Sequence, residues 1–221
     1  MEMMGASQKK TFLYALIATI FIFNLGIFFG YMLELSRTND INKLYVDAEM
    51  ELLDQITQKD ALENLNLNCD ALVSENIKFG DRIFSEALQI ERYEDANRIT
   101  SEIVLQHKRF DLLRTIFWIN SIKIKQQCSS SYHTVVYLYK YNDPSIEQIS
   151  KQRFFSNLLV QVKQDKGDKV MLIPIAADNN ISSIDLFIKK NDITQLPTIL
   201  IDEDIKITDV KAVEDIEKYL I

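Results

Sequence analysis

The chain has 221 residues, a formal charge of −7 and 47% hydrophobic residues, which is enough for one or two modest domains. The acidic balance and the lack of a lysine- and arginine-rich stripe argue against nucleic acid as a partner, because phosphate binding needs clustered cations. With two cysteines and two histidines, few side chains can supply thiol or imidazole chemistry.

The first element is an uncharged apolar stretch at residues 11–33. At ~1.5 Å per residue it is long enough to cross the ~30 Å hydrocarbon layer of a membrane. A cleaved signal peptide is the alternative, but its apolar region would span only ~7–15 residues and end in small residues. This stretch ends instead in Tyr31, Met32 and Leu33. The sequence therefore predicts an uncleaved membrane anchor, with the lipid bilayer as the partner of residues 11–33.

The charges that flank the anchor predict its orientation. Lys9 and Lys10 stand directly before it, whereas the charged residues after it balance one another: Glu34, Arg37, Asp40 and Lys43. By the positive-inside rule, residues 1–10 lie in the cytoplasm and the C-terminal part of the chain lies outside it.

Gly26 and Gly30 form a G-x-x-x-G step on one face of the anchor. Small residues at this spacing can let two membrane helices approach closely. A homodimer through this face is therefore an open alternative to a monomer.

Residues 34–127 contain no proline and a single glycine, Gly80, which predicts long helices. The polar segment Glu91–Asn97, with Asp95 as a helix cap, separates two seams of 3.5-residue period. The predicted antiparallel hairpin follows a stalk, residues 34–60, that continues the anchor. A parallel coiled-coil dimer stays open, because polar seam positions can set the register of either arrangement. The seam residues are Leu62, Leu65, Cys69, Leu72, Asn76, Phe79 and Ile83, then Ile99, Ile103, Gln106, Phe110, Leu113, Phe117, Asn120 and Ile124.

After residue 127 the pattern changes. The serine-rich residues 128–133 predict a linker, and residues 134–221 predict an α/β domain. Asp143 and Pro144 are interpreted as the N-cap and first residue of its first helix, and Ser182 with Asp185 as a capping box of the second. The predicted strands are His133–Tyr139, Val170–Ala177, residues 197–201 and Ile205–Thr208, and a last helix keeps Val210, Val213, Ile216 and Leu220 on one face.

This order of elements, with Leu196-Pro197-Thr198 opening the third strand, resembles the thioredoxin fold over residues 133–221. The resemblance implies a mixed sheet of four strands with helices on both faces. It also implies that Pro197 is cis and that the backbone of Leu196 and Thr198 can pair with an extended peptide. Pro174 is tolerated only if its strand is an edge strand. The whole chain is also similar to archaeal single-pass membrane proteins with a thioredoxin-like end, a likeness that implies no particular activity.

The chain departs from the redox-active members of that family. They carry C-x-x-C at the start of the helix after the first core strand, where the helix N-terminus lowers the thiol pKa. Asp143 and Ile146 stand there in this chain, and neither can exchange disulfides. The predicted function is therefore a non-catalytic interaction or scaffold module with an unidentified protein partner. The predicted peptide-binding residues are Tyr141, Asn142, Asp143, Leu196, Pro197 and Thr198.

The chain has two cysteines, Cys69 and Cys128. An even number in a region predicted to lie outside the cytoplasm is compatible with a disulfide. With the hairpin centred near residue 95, Cys69 lies opposite residue 121, a mismatch of ~10 Å of helix rise. A disulfide and two free thiols both stay open. The alternative function is a membrane-bound thiol-disulfide oxidoreductase that uses this pair, although neither cysteine has the setting of a poised thiol.

The two histidines lack an accompanying metal or triad pattern. His107 is interpreted as a helix surface residue, and Trp118 as hairpin packing. The glycines form no phosphate-binding loop. The sequence thus predicts no metal, no cofactor and no catalytic residue.

Overall fold

A computed structural model describes the backbone of residues 3–65, 68–97 and 101–220. Side chains are described at residues 10–36, 68–91 and 103–220, and at ten positions between residues 43 and 57. The chain divides into two compact units, Met1–Leu44 and Tyr45–Ile221.

The first helix, α1, is Met3–Leu65. Within the described residues, one helical segment, Lys10–Ser36, is long and apolar enough to span a membrane, with a mean hydropathy of 2.3. It covers the predicted anchor, and none of it is buried within the structure. A Cβ added at Gly26 or Gly30 would meet nothing within 4 Å, so the face that carries both glycines is open.

Two helices follow, α2 at Cys69–Asn97 and α3 at Ser101–Cys128. They are antiparallel, because a disulfide joins the first residue of α2 to the last residue of α3. The interpretation of Asp95 as a cap is wrong, since α2 continues through it. Leu62, Leu65 and Ile99 have no described side chains. The buried seam residues are Leu72, Asn76, Phe79, Ile83, Ile103, Phe110, Leu113, Phe117, Asn120 and Ile124.

The C-terminal region forms a mixed four-stranded sheet in the order β2-β1-β3-β4. β1 and β2 are parallel, and β3 is antiparallel to both β1 and β4. The strands are β1 His133–Tyr139, β2 Val170–Ala176, β3 Thr198–Ile201 and β4 Ile205–Ile207. The helices are α4 Ile146–Lys166, followed by a short 3-10 turn, then α5 Ser182–Lys190 and α6 Glu214–Glu217.

Helices cover both faces of this sheet. Successive strand residues point to opposite sides, so each face packs against its own helices. Val135 and Tyr137 join a core with Phe155 of α4 and Ile216 of α6. On the other face, Met171 lies 3.6 Å from Asn76 of α2. The coarse prediction of a mixed sheet between helices is confirmed.

The predicted helix starts need correction. The N-cap of α4 is Ser145, whose hydroxyl accepts from the Gln148 N–H at 3.2 Å, while the Gln148 side chain accepts from the Ser145 N–H at 3.0 Å. This reciprocal pair leaves Asp143 in the preceding turn, at φ 46°. The predicted capping box of α5 is absent, since its N-cap is Ile181 and has no side-chain hydrogen bond.

Candidate functional site

The predicted peptide groove lies at the end of the sheet where β1 finishes and β3 begins. Thr198 pairs with Leu138, so Leu196 and Pro197 lie beside the turn that follows β1. The Leu196–Pro197 peptide bond is cis. Pro197 and Thr198 are buried, and the Thr198 hydroxyl donates to the Gln195 carbonyl. The structure therefore places these residues and the turn at the same end of the sheet.

The turn after β1 is hydrogen-bonded to Asp178, which follows β2. The Tyr141 and Asn142 N–H groups each donate to a carboxylate oxygen of Asp178, both at 2.8 Å. The Asn142 amide donates to the Asp178 carbonyl at 3.0 Å. The Tyr141 ring stacks on His107 of α3, with ring centroids 3.7 Å apart and an interplanar angle of 15°. Asp178 and His107 thus hold Tyr141 and Asn142 in this turn.

Tyr141 lines a cavity of about 160 Å³ beside the edge strand β2. We call it the edge cavity. One wall is α2, whose Phe84 packs against the core between the sheet and α4. The other wall is α4, which an ion pair between Lys163 and Asp81 ties to α2. The floor is formed by Leu172 and Pro174 of β2, beside Tyr137 and Tyr139 of β1.

Three main-chain positions at the outer edge of β2 cannot pair with an added strand. The Ala177 N–H donates to the Tyr139 carbonyl of β1. Because backbone groups alternate in direction along a strand, the main-chain groups of Ala176, Pro174 and Val170 point away from β1, toward the outer edge. The outward Ala176 N–H lies 3.3 Å from the Asp111 carboxylate, and the Val170 carbonyl accepts from Lys163 at 2.7 Å. Pro174, between them, has no N–H. This edge is therefore poorly suited to pair with an added strand.

A buried polar cluster on α3 borders the edge cavity, which His107 and Arg114 line. Asp111, with no exposed surface, accepts from the Asn179 amide at 2.6 Å and lies 3.3 Å from Arg114 Nη1. The His107 Nε2 also lies 3.3 Å from Asp111. His107 is only 7% exposed, so its assignment to the helix surface is wrong. The tertiary contacts with Tyr139 and Tyr141 bury it.

Arg114 is the cation deepest in this cluster, with 3% of its surface exposed. Its guanidinium lies 4.2 Å above the Phe110 ring. Its Nε is buried and has no hydrogen-bond partner among the described residues. Sequence reasoning missed this group, although His107, Asp111 and Arg114 follow an i, i+4, i+7 spacing that places three polar side chains on one helix face.

Tyr137 adds a neutral polar group to the lining. Burial raises the pKa of its phenol well above the ordinary value, and the charge of Glu91 raises it further. The Tyr137 hydroxyl is therefore protonated at neutral pH and donates to the Gln152 carbonyl at 2.9 Å.

The two cysteines lie at the other end of the sheet. Cys69 and Cys128 form a disulfide with Cα atoms 5.4 Å apart. The mismatch expected from the sequence was wrong because α2 extends to Asn97 and α3 begins at Ser101, so the centre of the hairpin lies beyond residue 95. Both half-buried cysteines line a second cavity of about 470 Å³, with Lys78 and Asp168.

No protein-family model, curated protein or solved structure significantly matches this chain.

Proposed function

We propose that the chain is a membrane-anchored protein whose thioredoxin-like domain acts outside the cytoplasm as a non-catalytic interaction or scaffold module. One observation carries this proposal. Asp143 and Ile146 stand where the family's redox thiols would face Pro197, while the two cysteines of the chain are joined to each other away from that proline. The sheet order β2-β1-β3-β4, with Pro197 opening β3, supports the thioredoxin-like assignment.

The proposed ligand at Pro197 is an extended segment of a partner protein. Its backbone would pair with the main chain at Leu196 and Thr198, as in strand addition. Asn142 and Asp143 flank this position from the turn after β1. Tyr141 is part of the same proposed binding surface, and the stacking of its ring on His107 holds the turn in place.

A peptide-display library panned on the full-length protein in lipid nanodiscs tests this function. We expect extended peptides to be enriched and their binding to fall at least tenfold in Leu196→Glu, because a charge enters the groove. Leu105→Glu is the matched control, since Leu105 is 64% exposed on α3. Enriched peptides that bind both variants like the wild type would contradict the groove.

The proposed topology has a separate test. Residues 1–10 lie in the cytoplasm and the C-terminal region lies outside, as the positive-inside rule predicts. A C-terminal epitope should be digested by protease added to intact cells, and an N-terminal epitope should be protected. The reverse pattern would contradict this orientation.

The open face at Gly26 and Gly30 supports a proposed homodimer of the anchor. Crosslinking in membranes should trap a dimer that Gly26→Leu with Gly30→Leu abolishes. Phe21→Leu with Phe28→Leu is a matched control, because these residues lie on the opposite face of the same segment.

The second candidate function is a thiol-disulfide oxidoreductase. It is favoured by the half-buried position of Cys69 and Cys128 beside the second cavity. This function requires turnover with a dithiol substrate that Cys128→Ser abolishes. Without turnover above the Cys128→Ser level, the bridge is structural.

A further inference from the structure

The edge cavity is separate from the Pro197 groove, because it is lined by β1 and β2 whereas Pro197 opens β3. We propose that it binds a small amphipathic carboxylate, with the carboxylate held at Arg114 and a short apolar chain lying along β2 between α2 and α4. This goes beyond peptide binding at Pro197 and does not depend on it.

The walls of the edge cavity suit an apolar chain. Phe84, Ala87 and Leu88 come from α2, and Leu159 and Val160 come from α4. Burying apolar surface against such walls stabilises a complex, because that surface is removed from water. The volume of about 160 Å³ is smaller than the ~300–1,000 Å³ of sites that hold drug-sized ligands. A short chain is therefore favoured.

The charges of the lining favour an anion. Arg114, Lys140 and Arg153 are cationic, and Glu91 is the one acid among the described lining residues. Asp111 lies behind Arg114 and offsets part of its charge. The lining and Asp111 together still leave one positive charge in excess. A carboxylate would balance it.

Arg114 is the specific anchor. Its Nε is buried and has no hydrogen-bond partner within the described part of the chain, which costs free energy that a ligand oxygen would recover. The contact between Arg114 Nη1 and Asp111 is long, at 3.3 Å, and Asp111 also accepts from Asn179 at 2.6 Å through its other carboxylate oxygen. A guanidinium binds a planar carboxylate through two parallel N–H groups, and Nε is one donor of such a pair.

The same surroundings disfavour a peptide strand in this cavity. Asp111 occupies the Ala176 N–H, Lys163 occupies the Val170 carbonyl, and Pro174 has no N–H to donate. An added strand would find several of its ladder partners taken or absent. A compact ligand needs none of them.

Isothermal titration calorimetry with sodium octanoate and the full-length protein in nanodiscs tests the proposal, with empty nanodiscs as the blank. We expect saturable binding that weakens by about tenfold or more in Arg114→Met, the range expected for loss of one charged hydrogen bond. Arg109→Met is the matched control, because Arg109 is half-exposed on the same helix and pairs with Glu49 outside the cavity. Octan-1-ol, which has no carboxylate, should bind at least tenfold more weakly.

A second variant keeps the test decisive if Arg114→Met fails to fold. Ser156→Phe places a ring in the edge cavity from α4 and should abolish octanoate binding, whereas Ser150→Phe, at an exposed position of the same helix, should leave it unchanged. The proposal is overturned if octanoate gives no heat above the blank, if Ser156→Phe binds like the wild type, or if octan-1-ol binds as tightly. These outcomes say nothing about the Pro197 groove, which the peptide library tests independently.

Discussion

The Tyr141 ring stacks on the His107 ring, with centroids 3.7 Å apart and planes inclined by 15°. Tyr141 belongs to the turn that follows β1, and His107 belongs to α3. The contact therefore joins the helical hairpin to the sheet beside the edge cavity, which both residues line.

Replacing Tyr141 should reveal this connection. Tyr141→Leu removes the stacked ring and should lower the free energy of unfolding by about 0.5–1.5 kcal/mol, the usual range for aromatic pairs. Tyr141→Phe keeps the ring and should retain most of that stability. Thermal unfolding followed by near-ultraviolet circular dichroism checks both variants. Equal losses of stability in Tyr141→Leu and Tyr141→Phe would show that the hydroxyl, rather than the ring, accounts for the effect.

The disulfide closes a long loop, since its cysteines are 59 residues apart in sequence. Constraining such a loop in the unfolded chain stabilises the fold by about 4 kcal/mol. The Cys69→Ser, Cys128→Ser double variant should lose stability of this order in guanidinium unfolding. Wild-type protein treated with reductant is the control, and it should reproduce the loss. An unchanged unfolding midpoint in both the double variant and the reduced wild type would show that the disulfide adds no stability.

Stability should also fall at acidic pH because of Asp202. Burial by itself would raise the pKa of this carboxyl, but hydrogen bonds from Lys125, His133 and the Thr134 N–H outweigh it and hold the pKa below its ordinary value of 3.8. A group with a depressed pKa in the folded state stabilises the fold above its unfolded pKa. That stabilisation is lost as the pH falls through the lower, folded value.

The measurement is thermal unfolding of the wild type and Asp202→Asn between pH 7 and pH 3. The wild type should be the more stable at pH 7, and the difference should shrink below about pH 4. Asp204→Asn, at an exposed position of the same turn, is the control. A difference independent of pH would mean that the Asp202 charge does not contribute.

Gly80 marks a close approach between α2 and its neighbours. A Cβ there would lie 3.1 Å from Phe117 Cζ and 3.8 Å from Met171 Cγ. Phe117 is buried and packs edge-on against Phe79, so it has little room to move. Gly80→Leu should therefore cost about 1–3 kcal/mol or more by overpacking, and Gly80→Ala should cost less, since alanine improves helix propensity. If Gly80→Leu is more stable than the wild type, the packing of α2 against Phe117 and Met171 rearranges to accept the larger side chain.

Features that depend on local pattern were predictable from the sequence. The candidate anchor shows as an uncharged run, and β1 shows as β-branched and aromatic residues with the bounds that the structure has, His133–Tyr139. Pro174 indicated an edge strand because a proline cannot donate to a ladder, and β2 lies at the edge of the sheet. Each of these inferences needs only neighbouring residues and the chemistry of the backbone.

What only the tertiary structure decided concerns contacts between residues distant in sequence. A shift of a few residues in the hairpin turn decides whether Cys69 meets Cys128. The cap of α4 is different, because Ser145 and Gln148 form a local capping box that the S-x-x-Q pattern already contains. The seam of α3 shows which face is apolar, but not that Tyr141 covers His107 or that Arg114 lies buried beside β2. Helical period orders residues along one element, whereas burial is set by what packs against it from elsewhere in the chain.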